Sequence, residues 1–388
     1  MARATRRQFI ETALAAAAVY RSPVAALPVL KDIVAGPGQD SVDAAAIRKL
    51  VAGISGQVIT PGAAEYESAR LVFNRAFDRR PAVIVCCAGT PDVARALDFA
   101  EARKLPVAVR GGGHSRLGFG MCEGGVVIDL SGLKRVGVDA GKRVARAEAG
   151  ALVRDLDEAT QRFGLATTSG GCPSVGVAGL TLGGGEGRLM DKYGLACDNL
   201  LSAQVVTVDG RRVEASHDSN PDLFWAIRGG GGNFGVVTAL EYQLHPVGEV
   251  VSGALMYAAG RISELLEAFT RFLAGAPDEM DALAQLLPSE QRPRLKIDLC
   301  YCGDPRMAND LIRPLRALKP QDDSVKVMSY LEAQSAGGFL QRRLRTSKRT
   351  LFLGKSVGQL SRRLRPPSTM RPHGARRSSY RCEGRLAV

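Results

Sequence analysis

Three glycine-rich segments between residues 111 and 235 constrain the fold of this chain more than any other feature. They read Arg110-Gly-Gly-Gly-His-Ser115, Gly170-Gly-Cys-Pro-Ser-Val-Gly-Val-Ala-Gly-Leu-Thr-Leu-Gly-Gly-Gly185 and Gly229-Gly-Gly-Gly-Asn-Phe-Gly235. Glycine reaches φ > 0 and lets another backbone or a ligand come close, at a cost in chain entropy. One such segment would suit a tight turn in a β-rich fold. Three in succession point to loops wrapped around an extended, phosphate-bearing ligand.

The residues around them alternate between short strands and capped helices. Pro81–Val85, Leu105–Val109 and Gly125–Leu130 read as apolar strands. Ser41 to Gly53 reads as a helix with Ser41 as N-cap. Thr90-Pro91-Asp92 opens a second helix, with Val93, Ala96, Leu97 and Ala100 at helical spacing. A helix over 151–163 precedes the second glycine segment. Ala203–Val208 and Val236–Leu244 alternate as strands, with Asp209-Gly210 as a turn. Asn220-Pro221-Asp222 caps a helix over Leu223–Arg228, in which Phe224 and Trp225 are expected in the core. After Pro246, two helical patterns (about 261–273 and 305–317) and a strand, Leu295–Tyr301, suggest a further domain.

Several site chemistries can be set aside. No segment ends in Gly-Lys-Ser/Thr, which excludes a P-loop. Gly230-x-Gly232-x-x-Gly235 matches GxGxxG, but a helix precedes it and a strand follows, the reverse of the dinucleotide-binding order. Ser174 would need glycine at Cys172 to form a nucleophile elbow. With no CxxC and four scattered histidines, no metal site is expected.

Four motifs in order carry a resemblance: Arg110 to Ser115, Gly171 to Gly176, Gly183–Gly185 with Tyr193-Gly194 and Asp198-Asn199, and Asn220 to Gly235. Together they resemble FAD-linked oxidases of the berberine bridge enzyme-like group, in the vanillyl-alcohol oxidase superfamily. The resemblance implies an α+β fold. A two-subdomain PCMH-type FAD-binding domain would span 41–247, with its core at 77–247. An incomplete α/β substrate domain with an antiparallel sheet would follow over 248–340.

It also implies roles for residues. His114 would bond to the flavin 8α-methyl carbon and Cys172 to flavin carbon 6, making FAD bicovalent. Imidazole nitrogen and thiolate are the nucleophiles such a ring accepts. Backbone N–H groups of Gly111, Gly112, Gly113 and Ser115 would cradle the pyrophosphate. Gly176, Gly179, Gly183, Gly184 and Gly185 would line the cofactor channel, and Val177 would sit where oxygen access is controlled. Arg110, Tyr193, Asp198 and Val236 complete the implied cofactor-binding set. The implied reaction is hydride transfer from a small-molecule alcohol, sugar or secondary metabolite to flavin N5, with molecular oxygen as acceptor. The base in such enzymes comes from the second domain and a C-terminal Asn-Tyr-x-Asp segment. That segment has no match here, so no catalytic base is named.

The ends differ from the middle. Arg6-Arg7-x-Phe9-Ile10, an Ala-rich run to Tyr20 and Ser22–Ala26 resemble a bacterial twin-arginine export signal over 1–26. The run is too short to span a bilayer, so no stable membrane insertion is expected and the protein is expected outside the cytoplasm. The formal charge of +13 lies entirely in residues 341–388, where fourteen Arg or Lys face a single acid, Glu383. The body is neutral, so no nucleic-acid partner is expected from it. The tail reads as a frameshifted or disordered extension, which leaves an inactive remnant as an alternative. Polyanion binding by the tail is a weaker alternative, because only Phe352 and Tyr380 are aromatic there.

Overall fold

A computed structural model describes residues 42–287 and 294–336. Residues 1–26, where an export signal is expected, Ser41 and the basic tail 341–388 lie outside the described residues.

The first sheet has the order β1 (Gln57–Ile59), β2 (Val83–Cys86), β4 (Val126–Asp129), β3 (Val107–Arg110). β2, β4 and β3 run parallel, and β1 joins β2 antiparallel. The near-continuous apolar runs of β2 and β4 suit strands covered on both faces. Val83, Val85, Val126 and Ile128 join the main core, while Ile84 and Val127 face a smaller one with Tyr66 and Met121. This is the period-two alternation of a strand.

Three helices flank this sheet. α1 (Ala44–Gly53) starts later than the sequence suggested, because Asp43 supplies the cap and accepts from the Ala46 N–H at 2.6 Å. α2 (Tyr66–Ala69) is a single turn. α3 (Thr90–Glu101) has Gly89 as N-cap and buries Val93, Ala96, Leu97 and Ala100 as expected. Its Asp92 is buried and accepts from the N–H groups of Ser55 (2.9 Å), Gly56 (3.0 Å) and Ala88 (2.9 Å).

The second sheet is fully antiparallel, in the order β5 (Val136–Asp139), β6 (Val144–Glu148), β10 (Val236–Gln243), β8 (Leu200–Val206), β9 (Arg212–Ser216). α4 (Val153–Gln161) packs by β5 and β6, and β7 (Leu165–Ala166) pairs with β11 (His245–Pro246). α5 (Val177–Leu182) lies inside the second glycine segment, and α6 (Met190–Tyr193) follows it. In α7 (Pro221–Ile227) Phe224 is buried, but Trp225 is 75% exposed, against expectation. Adjacent residues on a helix face different directions, so only one of this pair can reach the core.

The third sheet is antiparallel, in the order β13 (Met280–Leu287), β14 (Arg294–Tyr301), β12 (Glu249–Tyr257), with β15 (Asp322–Asp323) and β16 (Lys326–Ser329) both on the far side of β12. α8 (Ile262–Gly275) and α9 (Ala308–Arg316) build a core of their own with it through Leu265, Leu266, Phe269, Ile312 and Leu315. α10 (Tyr330–Ala336) places Tyr330 and Ala333 against Ala166, Leu189, Val250 and Cys300. The architecture is α+β, with mixed and antiparallel sheets, as the resemblance implies.

Candidate cofactor site

β3 ends at Arg110, directly opposite Asp129 of β4. The Arg110 guanidinium donates to the Asp129 carboxylate and to the Ala69 carbonyl. Both side chains are almost wholly buried. A buried ion pair contributes fixed geometry more than stability. Here it anchors the start of the first glycine segment. Leu130 N–H donates to the Arg110 carbonyl at 2.7 Å, and Phe73 N–H donates to the Gly113 carbonyl at 3.0 Å.

Beyond Arg110, the N–H groups of Gly111, Gly112, Gly113, His114 and Ser115 donate to no protein acceptor among the described residues. Gly113 turns the chain with φ +66°. Successive free amides in such a turn form an anion-binding concavity.

The second segment crosses the first at a pair of glycines. A Cβ on Gly112 would lie 2.5 Å from the Gly176 nitrogen, and one on Gly176 would lie 2.4 Å from the Gly112 nitrogen. Neither position has room for a side chain. The N–H of Val177 donates to the Ala151 carbonyl (3.0 Å) and that of Val153 to the Val175 carbonyl (2.9 Å), which holds the crossing in place.

The crossing brings the two candidate nucleophiles to one hydroxyl. Ser174 Oγ lies 3.1 Å from His114 Nε2 and 3.4 Å from Cys172 Sγ. The His114 ring stacks on Phe73, with centroids 4.0 Å apart and planes 18° from parallel. Burial, and secondarily the charge of Arg116, hold its pKa below the ordinary histidine value. The imidazole is therefore neutral at neutral pH, with a lone pair available. A cavity of about 350 Å³ opens here, walled by the 68–73 segment, residues 110–114, Asp129, Ser131 and Ser174.

The remaining predicted residues are placed as follows. Ser115 Oγ closes its own turn by accepting from the Phe119 N–H (3.1 Å). Gly176 and Val177 form the buried start of α5, behind the crossing. Gly179 and Gly183 are exposed on and after α5, while Gly184 and Gly185 are buried in the turn that follows. The Leu182 carbonyl accepts from Gly229 (3.1 Å) and Gly231 (2.8 Å), so the third glycine segment docks on the end of α5. Tyr193 stacks on His245 at 4.0 Å. Asp198 is exposed and accepts from the Leu195 N–H (2.9 Å). Val236 is buried in the main core. The cavity is lined by Arg110, Gly111, Gly112, Gly113 and His114 of the expected set, whereas Ser115, Cys172, Gly176, Val177, Gly179, Gly183–Gly185, Tyr193, Asp198 and Val236 do not line it.

Two contributors carry no sequence signal for their roles. Ser174 lies within the Gly171–Gly176 motif, where its residue type points only to a nucleophile. Phe73 lies in a segment with no glycine signal. Among the described residues no cluster of three metal-ligating side chains exists, and no helix is long and apolar enough to cross a membrane.

Free amides, a neutral imidazole and a thiol on converging loops suit an anionic cofactor, and the residues present fit FAD. Residues 81–216 match the family described as FAD binding domain. The chain is 35% identical over 288 residues to (R)-6-hydroxynicotine oxidase of Paenarthrobacter nicotinovorans, covering 72% of this chain and 62% of that protein. It is 31% identical over 304 residues to YgaK, an uncharacterised FAD-linked oxidoreductase of Bacillus subtilis, covering 76% of this chain and 67% of that one. Xylooligosaccharide oxidase from Myceliophthora thermophila, solved with xylobiose, superposes with a TM-score of 0.68 at 27% identity, over 76% of this chain and 64% of that one. The chain belongs to the FAD-linked oxidoreductases of the berberine bridge enzyme-like group.

Proposed function

We propose that this protein holds FAD through both His114 and Cys172 and oxidises an alcohol, sugar or secondary metabolite, with oxygen as electron acceptor. The observation that carries the double attachment is the Ser174 hydroxyl within reach of both His114 and Cys172. When bound, FAD supplies the electron-poor ring that accepts a hydride from substrate carbon.

The chain's own residues do the rest. Burial keeps His114 unprotonated and therefore nucleophilic. Stacking on Phe73 and the contact with Ser174 limit its ring to one orientation. Free amides at 111–115 offer donors to a pyrophosphate. Cys87 and Cys300 are buried with thiol pKa values pushed up, Cys300 to about 12, which makes them poor competitors for the ring. The relatives act on unlike molecules, a nicotine derivative and a xylose oligomer by their names, so the substrate class follows from the family rather than from the cavity.

Acid precipitation tests the attachment. Yellow colour retained in the pellet is expected, and flavin released to the supernatant would overturn it. His114→Ala and Cys172→Ala should each leave one linkage, read from the masses of the flavin-bearing peptides. We also propose export through the Arg6-Arg7 signal. Replacing both with Lys should retain the protein in the cytoplasm, and unchanged fractionation would refute the signal.

A further inference from the structure

Asp157 of α4 is 2% exposed. Its carboxylate meets Ser169 Oγ at 2.7 Å and Gln334 Nε2 at 3.0 Å. Gln334 Nε2, in α10, also lies within hydrogen-bond reach of Ser169 Oγ (3.1 Å) and the Gly170 carbonyl (2.7 Å), its two hydrogens shared among the three acceptors. Gly170 stands two residues before Cys172. Four buried polar groups thus join three pieces of chain: α4, the loop that carries Cys172, and the last described helix. We propose that Asp157 is a positioning residue. With Ser169 and Gln334 it latches the Cys172 loop to α10, and the latch is tight while Asp157 is neutral.

The chemistry of the pocket supports the neutral form. No Lys, Arg or His pairs with Asp157 among the described residues. The charge acting on it is that of Glu158, the next residue of α4, and it is repulsive. From α10 the titratable neighbour is Tyr330, also fully buried, with Arg188 and Cys300 next to that tyrosine. Burial pushes the Asp157 carboxyl up to about 7. Neutral Asp157 can donate its O–H to Ser169 Oγ while its other oxygen accepts from Gln334; the ionised form accepts from both, and those two bonds lower its pKa without offsetting burial. Ionisation instead leaves a carboxylate charge without a counter-ion. The folded-state pKa lies above the unfolded value. The stabilisation is therefore present at low pH and lost as pH rises through about 7.

Hydrogen exchange on the full-length chain tests this without reference to activity. Protection of 167–176 and 330–336 is compared at about pH 6 and about pH 8, after correction for intrinsic exchange, and should fall by up to about tenfold in both segments together. Asp157→Asn should abolish that fall, and Gln334→Ala should lower protection at both pH values. Equal wild-type protection at the two pH values, a response in only one segment, or a fall that persists in Asp157→Asn would overturn the latch. The bearing of the latch on the cofactor rests on the proposed attachment at Cys172. The exchange readout does not, so a colourless protein with the coupled response would sink the flavin reading and leave the latch standing.

Discussion

A single hydroxyl organises the candidate site. Ser174→Ala would leave His114 and Cys172 without their shared partner, while the glycine crossing remains. The expected outcome is a folded protein in which the share of doubly attached flavin drops several-fold, measured by peptide mass. An unchanged share would show that the contact is incidental. Asp129→Ala should act differently, because it strands the Arg110 charge beneath the first glycine segment. Breaking a buried pair costs about 3–5 kcal/mol, read as a lower denaturant midpoint. The glycines at 112 and 176 were legible as glycines because no Cβ fits there. Tyr193, Asp198 and Val236 carry motif identity without lining the cavity, since stacking, turn formation and core packing also select those residue types.

Elements were legible where their apolar pattern was strong. β2, β4 and α3 bury unbroken or regularly spaced apolar side chains, and their positions followed from that pattern. β5 and β6 were missed: each alternates buried or half-buried with exposed positions, and four or five residues of that kind resemble a loop. α5 was hidden because it lies within the glycine segment, where Val177, Ala178, Thr181 and Leu182 supply the buried face. The Asp92 carboxylate in the first turn of α3 ties the 55–56 turn and Ala88 to the helix, which has no side-chain cap of its own. Asp92→Ala removes the acceptor for three N–H groups and should cost about 2–4 kcal/mol, seen in thermal or denaturant unfolding. A midpoint within error of wild type would mean that water replaces those contacts.

At the scale of the molecule, the third sheet has a hydrophobic core separate from that of the first two. Phe269→Ala opens a cavity in that core, with an expected cost of about 3–5 kcal/mol. Exchange protection should fall first over 249–329 while β2, β4 and β10 remain protected. Simultaneous loss everywhere would show one cooperative unit instead. The strand positions after Pro246 were only partly legible, since β12 carries a glycine and β15 and β16 are short and largely exposed. The Gly112–Gly176 crossing has a consequence for the order of events during folding. Its two sides belong to loops separated by β4, β5, β6, α4 and β7, and the amide nest takes its shape only when both are in place. Contacts so distant along the chain form late. A ribosome that has finished the first glycine segment has therefore not yet made a receptor for any dinucleotide, and occupancy must wait for a domain already folded.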